Sequence, residues 1–485
     1  MRLFRSSGVP GRFRSTFIGD RIFYSTVLAL VVPINIQSTI TNFVGLLDNI
    51  MARQTGTAQM SGVAIANQLI FVFYLTIFGG MAGAGIFGAQ FYGAGDNEGL
   101  RYTFRYKLLA SVLLLTAAVV VFLTWGDKLI SLYLTGEGDP LEAAAMLGFG
   151  RDYLRIMLWG LLPFSLSQAY AGTLRETGES KLPMIAGIAA VFTNLILNYV
   201  LIFGKFGFPV MGVAGAAIAT VISRYVELAV IMIYAHGHSD RFAFLKEVFR
   251  SLKIPLVLTR SISLKGLPLL GNELLWALSM TTLMQIFSTR GLNVVAGLNI
   301  ASTVTNLFNV VFISMGTAVA VMVGQALGAE DGERARSSVW RLIFFSVVCC
   351  ILVGVVLAVA APYIPHVYKT TDDVRKLATL FMVTSAAYMP FNAITHCCYF
   401  ALRSGGKTMI TFLFDSVYAW VIFIPFAYVL THYSKLSVFV IYPLSFLPDI
   451  LKCIVGLLIV RTGYWVQNII SGHKSVKPAE VISPT

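Results

Sequence analysis

The stretch Gln90-x-x-Gly93-Ala94-x-Asp96-x-Glu98-x-x-Arg101 returns as Gln325-x-x-Gly328-Ala329-x-Asp331-x-Glu333-x-x-Arg336, a constant 235 residues later. The same offset carries Pro33 onto Pro268, Gly56 onto Gly291, Gly62 onto Gly297, Ala66 onto Ala301 and Phe73 onto Phe308. A second mark, Leu174-Arg175-x-x-Gly178, recurs as Leu402-Arg403-x-x-Gly406 at an offset of 228. The chain therefore reads as two homologous halves, and the material between the marks is apolar enough to span a bilayer. Duplicated membrane-spanning halves are the construction of secondary transporters, with the substrate handled between the halves.

Composition agrees. The chain is 57% hydrophobic and 12% charged, where soluble domains carry about 25% charged residues. Its apolar residues fall into twelve blocks, 23–48, 58–91, 107–125, 148–172, 183–203, 211–235, 266–288, 294–326, 341–361, 377–402, 409–430 and 437–460. These are lengths that helices need to cross a hydrocarbon core of about 30 Å. The fold class is an all-α membrane protein with twelve transmembrane helices in two pseudo-symmetric six-helix lobes. Six spans per half returns each half to its starting side, so the halves are related by an axis along the membrane normal. The expected division is an arm over 1–22, an N-lobe over 23–235, a linker over 236–265, a C-lobe over 266–460 and a tail over 461–485.

Charge sets the expected orientation. The arm (Arg2, Arg5, Arg12, Arg14, Arg21), every second loop and the tail hold 24 of the 36 Lys and Arg. The positive-inside rule then puts both termini and the linker in the cytoplasm. No small-residue cleavage site follows the first apolar block, so the arm reads as cytoplasmic and the first helix as retained. The net charge of +13 is accounted for by topology and by anionic lipid, without nucleic acid. The linker has an amphipathic run, Phe242, Phe244, Leu245, Val248 and Phe249 beside Lys246 and Arg250, expected to lie on the inner membrane surface. The five cysteines all sit in apolar blocks and read as small core residues. The Gly79–Gly85 run lacks a following Lys-Ser/Thr and is no phosphate loop.

Ionisable residues inside spans cost about 2.5–3.5 kcal/mol at a helix centre and usually face a cavity. Ser38, Thr41, Gly45 and Asp48 are spaced 3, 4, 3 and share one helical face. Asp48 is therefore either a cavity-wall acid or a near-surface group paired with Arg53 or water. Asn194 and Asn198 project to one side of span 5, as ion ligands or as interhelical amide contacts. Glu273, with Trp276 and Met280 on the same side, would suit a lipophilic cation through charge, cation–π contact and adaptable packing. Asn392, His396, Tyr399 and Arg403 make a polar stripe on span 10. Asp415 lies in span 11. Arg224 with Glu227, and Asp449 with Lys452, are i, i+3 pairs expected to neutralise themselves. His396 reads as a hydrogen-bonded structural residue rather than a pH sensor.

The two Gln-x-x-Gly-Ala-x-Asp marks, the two Leu-Arg-x-x-Gly marks and Gly207-Phe208-Pro209-x-x-Gly212-Val213-x-Gly215-Ala216-Ala217-x-Ala219-Thr220, in this order, resemble the multidrug and toxic compound extrusion (MATE) family over nearly the whole chain. That resemblance implies two lobes forming a V and exchange of cytoplasmic organic cations for protons or sodium ions. It matches Asp48 to the first-helix acid of an N-lobe ion site, completed here by Asn194, Asn198 and Thr220, a possible sodium site. Asn198 stands where some members have a second aspartate. It matches Glu273 to the seventh-helix acid of a C-lobe cation site, and Trp276, Met280, Asn392 and Asp415 are the further substrate-binding candidates in that lobe. Asn392 stands where a norfloxacin-exporting subgroup has aspartate. Asp415 either replaces that acid or pairs with Lys407 or Arg403.

The expected protein is thus a plasma-membrane antiporter, not an enzyme, with both termini cytoplasmic. No cofactor is expected beyond a coupling proton or sodium ion. The partners are small cationic substrates and lipid, and the chain is expected to be a monomer. The alternative is a lipid-linked oligosaccharide flippase of the same superfamily. The mostly acidic intramembrane residues favour a cationic substrate over it. The chain has no Walker A sequence and no clustered metal or nucleophile spacing.

Overall fold

The structure is a computed structural model. It describes residues 16–53, 57–134 and 139–473, without the side chains of 46–53 and 57. Asp48, Asn49 and Arg53 are therefore seen only as helix backbone. Arg2 to Arg14, Gly56, Glu137, Lys474 and Lys477 lie outside the described residues.

Twelve helical rods run through the described chain. In the first half they are α1 (Arg21–Arg53), α2 (Thr57–Gly93), α3 (Asn97–Tyr133), α4 (Pro140–Glu176), α5 (Lys181–Phe203) and α6 (Gly212–Gly237). The second half has α7 (Leu256–Ser288), α8 (Leu292–Gly328), α9 (Gly332–Ala360), α10 (Asp372–Ser404), α11 (Thr408–Tyr433) and α12 (Val438–Thr462). Ten are long and apolar enough to cross a membrane by composition alone. The other two, α4 and α7, carry charges such as Arg151, Asp152, Arg260 and Lys265. The apolar block at 266 opens more than two turns into α7, so the connection between halves is shorter than the charge pattern suggests.

The repeated motif has a local reason at each position. Asp96 caps α3 by accepting from Gly99 N at 2.9 Å, and Asp331 caps α9 by accepting from Arg334 N at 2.9 Å. Glu98 and Glu333 sit in those first turns, where the helix dipole favours an acid. Gly95 and its counterpart Glu330 both turn the chain with positive φ, +72° and +63°. Leu174 and Leu402 are core residues, and Gly178 and Gly406 make the left-handed turns after α4 and α10.

Each half forms a lobe, and the lobes meet at one end. Buried residues of the N-terminal half of α1 (Phe23, Val27, Leu30) pack with the C-terminal half of α8 (Met315, Val319, Val323). Helices α2 and α8 cross where neither can carry a side chain. A Cβ on Gly93 would lie 2.0 Å from the Gln325 carbonyl oxygen, and one on Gly328 would lie 1.9 Å from that of Gln90. Gly83 similarly lies against Gly266 of α7. Among the described residues, no hydrogen bond or buried cluster joins the lobes at the opposite end.

The connection after α6 does not present its apolar side outward. Phe242, Phe244, Leu245 and Val248 are buried in the N-lobe core, and only Phe249 is exposed. With its apolar residues packed inward, the run holds one 3₁₀ turn, Ala243–Leu245, and no surface helix. Arg105 fixes it by donating to the carbonyls of Val248 (2.9 Å), Glu247 (3.1 Å) and Lys253 (3.3 Å). Lys246 bonds Asp240 at 2.6 Å and holds that carboxyl below its usual range.

Candidate functional site

In the N-lobe, Asn198 Nδ2 donates to Asn194 Oδ1 at 3.1 Å, Asn194 Nδ2 to Thr220 Oγ1 at 3.2 Å, and Thr220 Oγ1 to the Ala216 carbonyl at 3.0 Å. The three residues named from the sequence thus form one chain of polar groups between α5 and α6. Both asparagines are buried. Helix α1 packs on α5, but the Asp48 side chain is outside the described residues. Between α1, α5 and α8, an apolar cavity of about 590 Å³ is lined by Ile40, Phe43, Phe192 and Phe308 among others.

In the C-lobe, Asn272 is the hub. Its Nδ2 donates to Asp415 Oδ2 at 3.0 Å and to the Tyr399 hydroxyl at 3.3 Å. Its Oδ1 accepts from Ser416 Oγ at 2.7 Å. Lys452 Nζ reaches Asp415 Oδ1 at 2.6 Å. This corrects two expectations. Asp415 pairs with neither Lys407 nor Arg403, and Lys452 leaves Asp449, its i−3 neighbour, for a partner on another helix. Tertiary approach of α11 and α12 brings Asp415 Oδ1 within 2.6 Å of Lys452 Nζ. Asp415 and Ser416 sit in a π-helical segment, Leu413–Val417, followed by another, Ala419–Phe423. Such widened turns often occur at functional sites. Asn392 and Met280 lie outside this hydrogen-bond network.

Glu273 faces the other way. Its side chain lies against Gly79 of α2, across the lobe junction. It makes no hydrogen bond or ion pair among the described residues. Trp276 and Met280 continue its face at i+3 and i+7 and are 41% and 42% exposed. Arg403, which belongs to the Leu-Arg-x-x-Gly mark, is buried between Phe400 and Phe78, with ring centroids at 5.1 and 5.8 Å. One of its terminal nitrogens, Nη1, has no hydrogen-bond partner.

Arg224 and Glu227 pair at 3.0 Å as expected. His396 is caged by Phe312 and Phe400 in the space Gly316 leaves. Its Nε2 has no hydrogen-bond partner, so the expected hydrogen-bonded role does not hold for that nitrogen.

Sequence reading missed two groups. Lys107 opens the 107–125 apolar block, and by position it reads as one of the loop charges that set orientation. It is 1% exposed, and its Nζ bonds both oxygens of Glu176, at 2.6 and 2.7 Å, and Thr173 Oγ1 at 2.9 Å. Gly88 makes room: a Cβ there would sit 2.1 Å from Glu176 Oε2. The second group is a crossed latch. Gln325 Nε2 donates to the Glu176 carbonyl at 2.7 Å, and Gln90 Nε2 to the Ser404 carbonyl at 2.9 Å. Positions 176 and 404 are related by the same offset of 228, so each lobe's glutamine grips the equivalent carbonyl of the other. The signal was present in the two repeats, but nothing in one strand of text says that they meet.

The MatE family profile matches residues 33–200 and 268–429, one segment in each half. The chain is 25% identical over 454 residues to the Thermotoga maritima protein named "Probable multidrug resistance protein NorM", covering 93% of this chain and 95% of that one. It is 27% identical over 427 residues to the Bacillus subtilis "Probable multidrug resistance protein YoeA", covering 87% and 90%. A solved structure described as an outward-facing multidrug resistance MATE family transporter of the MOP superfamily has the same fold. Its TM-score is 0.80 at 21% identity, over 95% of this chain and 98% of that one.

Proposed function

The chain belongs to the MatE family of membrane transporters, and from that premise we propose that it exports organic cations in exchange for protons or sodium ions. The observation that carries the substrate class is Glu273. It is a carboxylate without an ion-pair partner, on the helix face that looks across the lobe junction. Trp276 and Met280 extend that face with adaptable apolar surface. Asp415 is already neutralised by Lys452, so Glu273 is the acid of the two that is left for a cation. The relatives' names, multidrug resistance proteins, fit drug export.

Coupling is assigned to the N-lobe. Asp48 is the proposed ion-binding acid, with Asn194, Asn198 and Thr220 as neutral oxygen donors. A single acid is enough to exchange a proton, and three further oxygens make a sodium site chemically reasonable. The basic end, where the lobes meet, is proposed to face the cytoplasm of a plasma-membrane protein, with both termini on that side. The lobes then alternate: this end parts to admit substrate and closes to release it outside.

The test is export by purified protein in liposomes under an imposed proton or sodium gradient, with a panel of lipophilic mono- and dications. Gradient-driven cation export is the expected result. No export of any cation by correctly folded protein would refute the reading and favour an endogenous or lipid-linked substrate.

A further inference from the structure

The segment after α12 breaks the symmetry of the molecule. Its counterpart after α6 stays on its own lobe, with Phe244, Leu245 and Val248 in the N-lobe core. The segment from Tyr464 to His473 instead crosses beneath both lobes at the end where they meet.

Its first part belongs to the C-lobe. Trp465 is 1% exposed, donates from Nε1 to the Val460 carbonyl at 2.9 Å, and packs in that lobe's core. Its backbone lies so close to the turn after α10 that a Cβ on Gly405 would overlap the Trp465 carbonyl. The last part belongs to the N-lobe. Ile470 is fully buried in the cluster that joins the N-lobe core to Leu258 and Ile262 of α7, and the His473 ring lies 6.2 Å from that of Phe87. Between them the segment closes on Gln90. Ile469 N donates to Gln90 Oε1 at 2.9 Å, and the Gln467 carbonyl accepts from Gln90 Nε2 at 3.2 Å. Asn468 donates to the Gly328 carbonyl at 3.4 Å and accepts from Ile470 N at 3.0 Å. One buried amide is thus held by Ser404 of the opposite lobe and by the strap at the same time.

We propose that residues 464–473 are a strap that locks this end of the transporter shut, and that its N-lobe half must leave its seat before the lobes can part. A segment anchored in both lobes binds only the closed arrangement fully. It therefore shifts the equilibrium toward closure by its differential contacts. Alternating access is assumed from the function proposed above, but neither the substrate nor the ion enters the argument.

The experiment reads geometry rather than transport. Spin labels at Asn97→Cys and Glu333→Cys, both exposed at this end, one per lobe, report the inter-lobe distance in a background with the native cysteines replaced. A chain ending at His473 is compared with one ending at Gln467, which keeps Trp465 but loses Ile469, Ile470 and His473. The expected result in lipid nanodiscs, without gradient or substrate, is a roughly tenfold or larger rise in the open-to-closed ratio for the shorter chain. Ile470→Ala in the full chain should move the ratio the same way, and decides the matter if the shorter chain does not fold. Unchanged distance distributions in folded Ile470→Ala and in the folded shorter chain would overturn the proposal. Altered export with unchanged distances would also count against the strap and would bear separately on the transport reading.

Discussion

Lys107 and Glu176 show how a charge can be mistaken for surface. In water, each would be ordinary; here both lie between α3 and α4, and two hydrogen bonds and Thr173 offset the loss of hydration. Removing one partner strands the other. Lys107→Met is expected to destabilise the protein by about 3–5 kcal/mol, whereas Lys107→Met with Glu176→Leu should recover much of that loss. Thermal unfolding in detergent checks both. Asp48 and Glu273 carry the functional expectations at this scale. Asp48→Asn should abolish gradient-driven export while the chain still folds, because a neutral amide is cheaper to hold in a membrane than a charge. Glu273→Gln should chiefly weaken drug binding, read as a raised Kd for a fluorescent cation. Full coupled export by Asp48→Asn, or unchanged affinity in Glu273→Gln, would contradict those roles.

At the scale of elements, the crossing of α2 and α8 is set by two glycines. A methyl group on Gly328 would fall 1.9 Å from the Gln90 carbonyl oxygen, which is backbone and has no rotamer to give. The helices must therefore separate. Gly328→Ala is expected to cost about 1–3 kcal/mol of stability and to lengthen the Asn97–Glu333 label distance. An unchanged distance would show that the crossing adapts locally. The α11 rod makes a related point. Its π-helical turns carry Asp415 and Ser416, and Asn272 meets both. The linker and the strap are the equivalent segments after α6 and α12, each following the last helix of its half. They diverge because one finds its apolar seat on its own lobe and the other finds part of it on the neighbour.

For the whole molecule, closure at one end and the absence of described inter-lobe hydrogen bonds at the other define the arrangement. Which end is cytoplasmic is the remaining structural expectation. Gly237 is exposed at the basic end, so Gly237→Cys, with the native cysteines replaced, should resist an impermeant thiol reagent applied to intact cells and react after lysis. Labelling from outside would invert the topology and the direction of transport with it. The basic residues behind that expectation are partly structural. Arg105 and Lys107 are buried and bonded to protein, so they contribute less to orientation than their number suggests.

The twelve helices and the two halves were legible in the sequence, because both are periodic signals. Bilayer thickness sets the length of each apolar block, and duplication leaves constant offsets in numbering. The proximity of Asn194, Asn198 and Thr220 was accessible for a similar reason: helical spacing gathers i and i+4, and the family resemblance supplied the neighbouring helix. Contacts between distant elements were not. That Lys452 chooses Asp415 over Asp449, that Gln90 and Gln325 cross to carbonyls of opposite lobes, and that Ile470 seats in the N-lobe all depend on which surfaces tertiary packing brings within about 3 Å, where hydrogen bonds form. Local sequence constrains what a residue can bond; only the packed lobes decide which partner is close enough to take.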